Sequence, residues 1–245
     1  MAFLQPQSPD PWIRQPVFRA PAVVVSLIAV LVAAHGARAM MPPHLSAELI
    51  NQFGFIPARY SPAFLAAHNA DPGGWLAQAV PFASYMALHN DLTHLVINSL
   101  WLLAFGPIVA RRLGGFLFLL FFLTCGVSGA LVHLAFNWGS PVPVIGASGA
   151  ISGLMAAGLR LLPTQAPWAH PAREKLLPIF SRQILLFTAI WMGINLVAGL
   201  AGLGIGGEAG AIAWQAHLGG YLAGLFLAGP FDRLKPAARA EANIL

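Results

Sequence analysis

The sequence predicts an all-α fold: a polytopic membrane protein of six transmembrane helices packed as one bundle. Three observations predict it: the scarcity of charge, six apolar stretches, and the side of those stretches on which the cations fall. Of the 245 residues, 58% are hydrophobic and 9% charged, and the mean hydropathy is +0.71. A soluble domain carries about 25% charged residues, so this chain cannot furnish a water-facing surface. An ordinary soluble enzyme, a disordered segment and a nucleic-acid binder are excluded, the last because it needs clustered cations on a polar shell. Most of the chain is expected to lie in lipid. The single cysteine, Cys125, sits inside an apolar run. It reads as a small buried hydrophobe and rules out an intrachain disulfide framework.

The apolar stretches run from Ala20 to Ala34, Leu92 to Ala110, Phe116 to Phe136, Ser148 to Leu162, Ile179 to Gly199 and Ala211 to Gly229. None has an interior Asp, Glu or Lys, and Arg182, near the start of the fifth, is placed to snorkel to the interface. The first and fourth are short for a hydrocarbon core of about 30 Å. The first also competes with a signal peptide, because Ala37, Arg38 and Ala39 form an A-x-A-like site after a short apolar run. A leader containing Trp12, Pro6, Pro9, Pro11 and Pro16, and the five spans that cleavage would leave, favour a retained helix. Met40 to Asp91 mixes prolines, aromatics and apolar patches such as Phe64, Leu65, Trp75 and Leu76. That mixture predicts a structured loop resting on the bilayer, with Trp75, Phe82 and Tyr85 in the interfacial belt. Asp91 reads as the N-cap of the second helix. Pro163 to Leu177 reads as a connection, and Ala201 to Gly210 as a glycine-rich link. The domain plan is a short segment at 1–19, a membrane domain at 20–229 and a tail at 230–245.

All but Arg38 and Arg59 of the 13 Lys and Arg lie before the first stretch, after the second, around the link between the fourth and fifth, or after the sixth. With six crossings those positions share one face. The positive-inside rule makes that face cytoplasmic, with both termini on it.

In hydrocarbon, a polar residue without an obvious partner marks the place to look for chemistry. Counting back from Ala110, Leu162 and Gly229 at a rise of about 1.5 Å per residue puts His94 about 24 Å, Asn98 about 18 Å, Ser148 about 21 Å and His217 about 18 Å from the cytoplasmic ends. Four polar groups from three helices therefore share one layer beneath the outer surface. Each alone is explained by a structural interhelical hydrogen bond. Together they suggest more. Ser148 opens its helix within Gly146-Ala147-Ser148-Gly149-Ala150, where small neighbours expose the hydroxyl and backbone N–H groups stand open. Gly220 and Gly224 give the sixth helix a small face that matches Gly149 and Gly153 on the fourth. Close packing there would bring the His217 ring to the Ser148 hydroxyl as a general base. His94 and Asn98, one turn apart on one face, can both donate to an oxyanion. The eight carboxylates fall outside the middle of the spans, so a Ser–His dyad is expected, its imidazole oriented by packing. No metal is expected, since His89 and His94 are five residues apart and no cysteine or acid joins them.

These residues resemble the rhomboid family of intramembrane serine proteases. The likeness lies in Phe53-Gly54-Phe55-Ile56-Pro57, in His89 with His94-Leu95-Val96-Ile97-Asn98, in Arg111-Arg112-Leu113-Gly114, in Gly146-Ala147-Ser148-Gly149-Ala150, and in Ala216-His217-Leu218-Gly219-Gly220. The resemblance implies a rhomboid-like six-helix bundle, Ser148 as nucleophile, His217 as base, and His94, Asn98 and the Ser148 backbone N–H around the oxyanion. It implies cleavage of single-span or multi-span membrane proteins in or near their transmembrane segments, without a cofactor. The expected location is a bacterial inner membrane, with the site opening to the external, periplasmic side. Two positions depart from the family pattern. Ser152 stands where an aromatic residue is usual, and Ala110 where a glutamate precedes the Arg pair. Tyr221, one turn after His217, is a candidate for the missing aromatic surface. Two alternatives are a catalytically silent relative that binds membrane proteins for quality control and a small transporter. The first should lack the serine or histidine, and the second should show paired repeats or a buried charge.

Overall fold

A computed structural model describes residues 20–161, 176–202 and 212–234. Arg14, Arg19, most of the proline-rich connection with Arg173 and Lys175, Gly204, Gly206, Gly207, Gly210, Lys235 and Arg239 lie outside the described residues. Among the described residues six helices form the bundle: α1 (Ala22–Ala39), α6 (Leu92–Leu113), α7 (Gly115–Phe136), α8 (Ser148–Leu161), α9 (Arg182–Leu200) and α10 (Trp214–Leu234). Four short helices, α2 (Pro43–Phe53), α3 (Pro62–His68), α4 (Trp75–Ala79) and α5 (Pro81–Ser84), fill the loop between α1 and α6. Among the described residues the molecule is an all-α membrane bundle.

Local chemistry sets the boundaries. Asp91 caps α6 by accepting a 2.9 Å hydrogen bond from the His94 backbone N–H. Gly114 alone separates α6 from α7 at φ +81°, a left-handed turn that glycine makes without a side-chain clash. Proline opens α2, α3 and α5, where its missing N–H leaves nothing unsatisfied.

Among the described residues α1, α6, α7 and α9 are each long and apolar enough to cross a membrane. The 14 residues of α8 rise only about 21 Å, yet nearly all are buried, for α6, α7 and α10 enclose them. A central helix wrapped by others needs no lipid-matched length. The core around it holds Leu102, Phe118, Phe121, Cys125, Leu154 and Met155, none more than 1% exposed.

Three expectations change. The first helix runs on to Ala39, so the A-x-A segment is helical, and Arg38 donates to the carbonyl oxygens of His89 and Asn90. The loop between α1 and α6 supplies the partners that let Arg38 sit within the helix. The loop does not simply rest on the bilayer. Phe55, Tyr60, Phe82 and Tyr85 form one aromatic cluster with centroids 4.8–6.2 Å apart. Of the three belt residues only Trp75 is exposed; Tyr85 is buried, because its hydroxyl donates to the Gly126 carbonyl of α7 at 2.8 Å. Finally, α10 continues through Pro230 to Leu234, where Asp232 meets Arg112 at the end of α6, with contacts of 2.6 and 2.9 Å. That pair ties two helices without a glutamate at position 110.

Candidate active site

Ser148 is the first residue of α8, and the segment before it is held in place by backbone hydrogen bonds. Val144 and Phe55 exchange hydrogen bonds of 3.0 and 2.8 Å, and the Gly146 N–H donates to the Tyr85 carbonyl at 2.9 Å. Gly146 adopts φ +121°, and a Cβ there would stand 2.7 Å from His94 Cε1 and 3.8 Å from Ser148 Oγ. Glycine is required on both grounds, and the His94 ring and the Ser148 hydroxyl flank the same backbone unit.

His217 lies in the first turn of α10. Its Nε2 is 2.7 Å from Ser148 Oγ, and its Nδ1 is 2.5 Å from Asn195 Oδ1 on α9. His94 accepts at Nδ1 from the Asn90 N–H at 3.4 Å, so a neutral ring carries its proton on Nε2, the edge beside Gly146. Asn98 is 3% exposed, and its Nδ2 donates to the His94 carbonyl at 2.9 Å, which engages one of two amide protons. No hydrogen bond joins Asn98 to Ser148. Ser148, His94 and His217 are partly exposed rather than sealed.

The close approach of α8 and α10 explains how residues 69 apart in sequence meet. A Cβ on Gly220 would overlap the Gly149 carbonyl, and one on Gly224 would overlap the Gly153 carbonyl. A Cβ on Gly153 would meet the Gly220 carbonyl at 2.8 Å. The two backbones touch directly at all four glycines.

Ser152 donates to the Ser148 carbonyl at 2.8 Å, the back-bond a small hydroxyl residue makes inside a helix. Tyr221 turns toward α9, stacking on Phe187 at 6.5 Å and sharing a 2.7 Å hydrogen bond with Thr188. Among the described residues no group of three His, Cys, Asp or Glu is placed to hold a metal ion.

Asn195 is the site residue that the sequence analysis leaves out. Counted from Ile179, it lies about 24 Å from the start of its apolar stretch, in the layer of the other four. Depth alone was a sufficient signal. Tyr85, which props the segment before Ser148, has no such signature, because its hydroxyl finds its partner only after the loop folds onto α7.

Among the described residues the bundle is built of helices, four of them long and apolar enough to cross a membrane, and a hydroxyl and an imidazole meet at the start of its innermost helix: the class is a multi-pass membrane protein. Residues 76–232 match the Rhomboid domain, well over half of the chain, and the chain belongs to the rhomboid family. It is 30% identical over 167 residues to the Rhomboid protease GluP of Bacillus subtilis (strain 168), an overlap that covers 68% of this chain and 28% of that protein. The matched region thus spans little more than a quarter of that relative.

Proposed function

We propose that the protein is an intramembrane serine endopeptidase in which Ser148 is the nucleophile and His217 the general base and acid. The observation that carries this reading is the 2.7 Å separation of Ser148 Oγ from His217 Nε2, the distance over which a base takes a hydroxyl proton. Ser148 attacks a substrate carbonyl as His217 takes its proton. The imidazolium then returns that proton to the leaving amine, and the neutral ring activates water to release the acyl-enzyme. The Ser148 N–H at the open end of α8, the Nε2–H of His94 and the second amide proton of Asn98 are the donors for the oxyanion. Partial exposure of Ser148, His94 and His217 supports access of water, the second reactant.

The substrates are single-span or multi-span membrane proteins, reached through the lipid bilayer. A helical carbonyl is already hydrogen-bonded, so the substrate segment must unwind locally, and helix-weakening residues lower that cost. The chemistry uses no metal or cofactor, and no nucleic acid is a partner. The membrane domain occupies 20–229 in a bacterial inner membrane, with the flanking segments 1–19 and 230–245 cytoplasmic and the site opening outward. The distribution of cations supports this orientation.

The test compares purified wild type, Ser148→Ala and His217→Ala in detergent on a generic transmembrane substrate. Wild type is expected to cleave, and each variant to lose roughly 1,000-fold or more in kcat. A fluorophosphonate should label wild type and spare Ser148→Ala. Equal cleavage by all three proteins would overturn the assignment.

A further inference from the structure

We infer that Asn195 is a positioning residue for the Ser148–His217 pair, fixing the His217 ring in the tautomer a general base needs. This inference rests on the protease reading and adds a residue to the same site. Asn195 is 4% exposed and stands on α9, a different helix from either member of the pair. Its Nδ2 donates to the Trp191 carbonyl, one turn back on α9, at 2.8 Å. That bond decides which way the amide faces. Turned over, the amide would set two acceptor oxygens against each other at Trp191 and present an N–H to the imidazole.

With Nδ2 engaged, Oδ1 faces His217 Nδ1 at 2.5 Å. An amide oxygen only accepts, so the contact requires the ring proton on Nδ1. The Nε2 lone pair is then left facing Ser148 Oγ at 2.7 Å. A free neutral imidazole populates both tautomers, and the Nε2–H form cannot take the serine proton. The backbone carbonyl of α9 thus sets the amide, the amide sets the ring, and the ring receives the proton. The eight carboxylates of the chain fall outside the middle of the apolar stretches; a carboxamide supplies the acceptor without bringing a charge into the membrane.

A merely structural role would make Asn195 one of two side-chain hydrogen bonds seen between α9 and α10 among the described residues. The other is Thr188 to Tyr221, 2.7 Å, which touches neither Ser148 nor His217. Thr188→Val therefore removes the same kind of bond without touching the ring. The experiment measures kcat, KM and thermal stability for wild type, Asn195→Leu, Asn195→Asp, Thr188→Val and Ser148→Ala on a transmembrane substrate, together with 15N NMR of the His217 ring. Asn195→Leu should lose roughly 10- to 100-fold in kcat with KM nearly unchanged. Its ring should shift from the Nδ1–H form toward a mixture. Asn195→Asp, which keeps an acceptor at Nδ1 but sets a second oxygen against the Trp191 carbonyl, should recover part of the loss, and Thr188→Val should retain wild-type kcat. Full kcat in Asn195→Leu, or an equal loss in Thr188→Val, would overturn the inference. Should wild type not cleave, or Ser148→Ala cleave equally, the protease reading falls. The 15N spectra still decide Asn195, whose role is overturned if the ring keeps one tautomer in Asn195→Leu.

Discussion

His89 occupies the turn before α6, fully buried, with its ring centroid 5.1 Å from that of His94 and its carbonyl bonded to Arg38. Burial, helped by the neighbouring His94, pushes its pKa from the ordinary 6.5 down to about 4, while the Ala87 carbonyl pulls the other way. The unfolded chain therefore takes up this proton first as pH falls. Stability should be complete above about 6.5 and decline between about 6.5 and 4. Thermal unfolding at either end of that window should show a drop in Tm for wild type and a smaller drop for His89→Gln; equal drops would count against the assignment. At this scale the sequence speaks through contrast. Ser148, His94, Asn98 and His217 stand out because polar atoms are rare in apolar stretches, and Asn195 is no less conspicuous by depth. What the sequence withholds is rotation: α9 is apolar nearly all round, so no periodicity fixes which neighbour Asn195 faces.

The helices α8 and α10 carry the burden of bringing two distant residues together, and glycine is the means. Gly220→Ala or Gly224→Ala would drive a methyl group into a backbone carbonyl that has no rotamer to escape by. Each should destabilise the protein by about 1–3 kcal/mol, read as a lower unfolding midpoint in detergent, with cleavage lost in parallel. Gly193→Ala is the control. Nothing lies within 4 Å of a Cβ at Gly193, so it should match wild type or gain slightly in helix propensity. Unchanged stability in the Gly220 and Gly224 variants would show that the backbones can part without penalty. The existence and order of the six bundle helices were legible from hydropathy, and most ends fall within a few residues of the apolar boundaries. The exceptions have a common cause. Hydropathy marks where lipid stops, whereas α1 and α10 run past that point to reach tertiary partners, His89 and Asn90 for Arg38 and Arg112 for Asp232.

For the whole molecule, orientation has the most direct test. Alkaline phosphatase fused after Gln78 should be active and a fluorescent protein fused after Leu234 should glow, since the first fold requires export and the second a cytoplasmic setting; the reverse pattern would invert the topology. The loop between α1 and α6 was the least legible region, because its aromatic residues read equally well as a lipid belt and as a core. Folding chose the core for Phe55 and Tyr85. The pair Arg112–Asp232 has a leverage that its modest size conceals. The helices α6 and α10 barely meet along their length, yet one bears His94 and Asn98 and the other His217. They resemble the arms of tongs, pinned at the handle by the Arg112–Asp232 pair. Both arms also press on α8 between them, so the central helix sets the gap between the jaws while the ion pair closes the end farthest from the imidazoles.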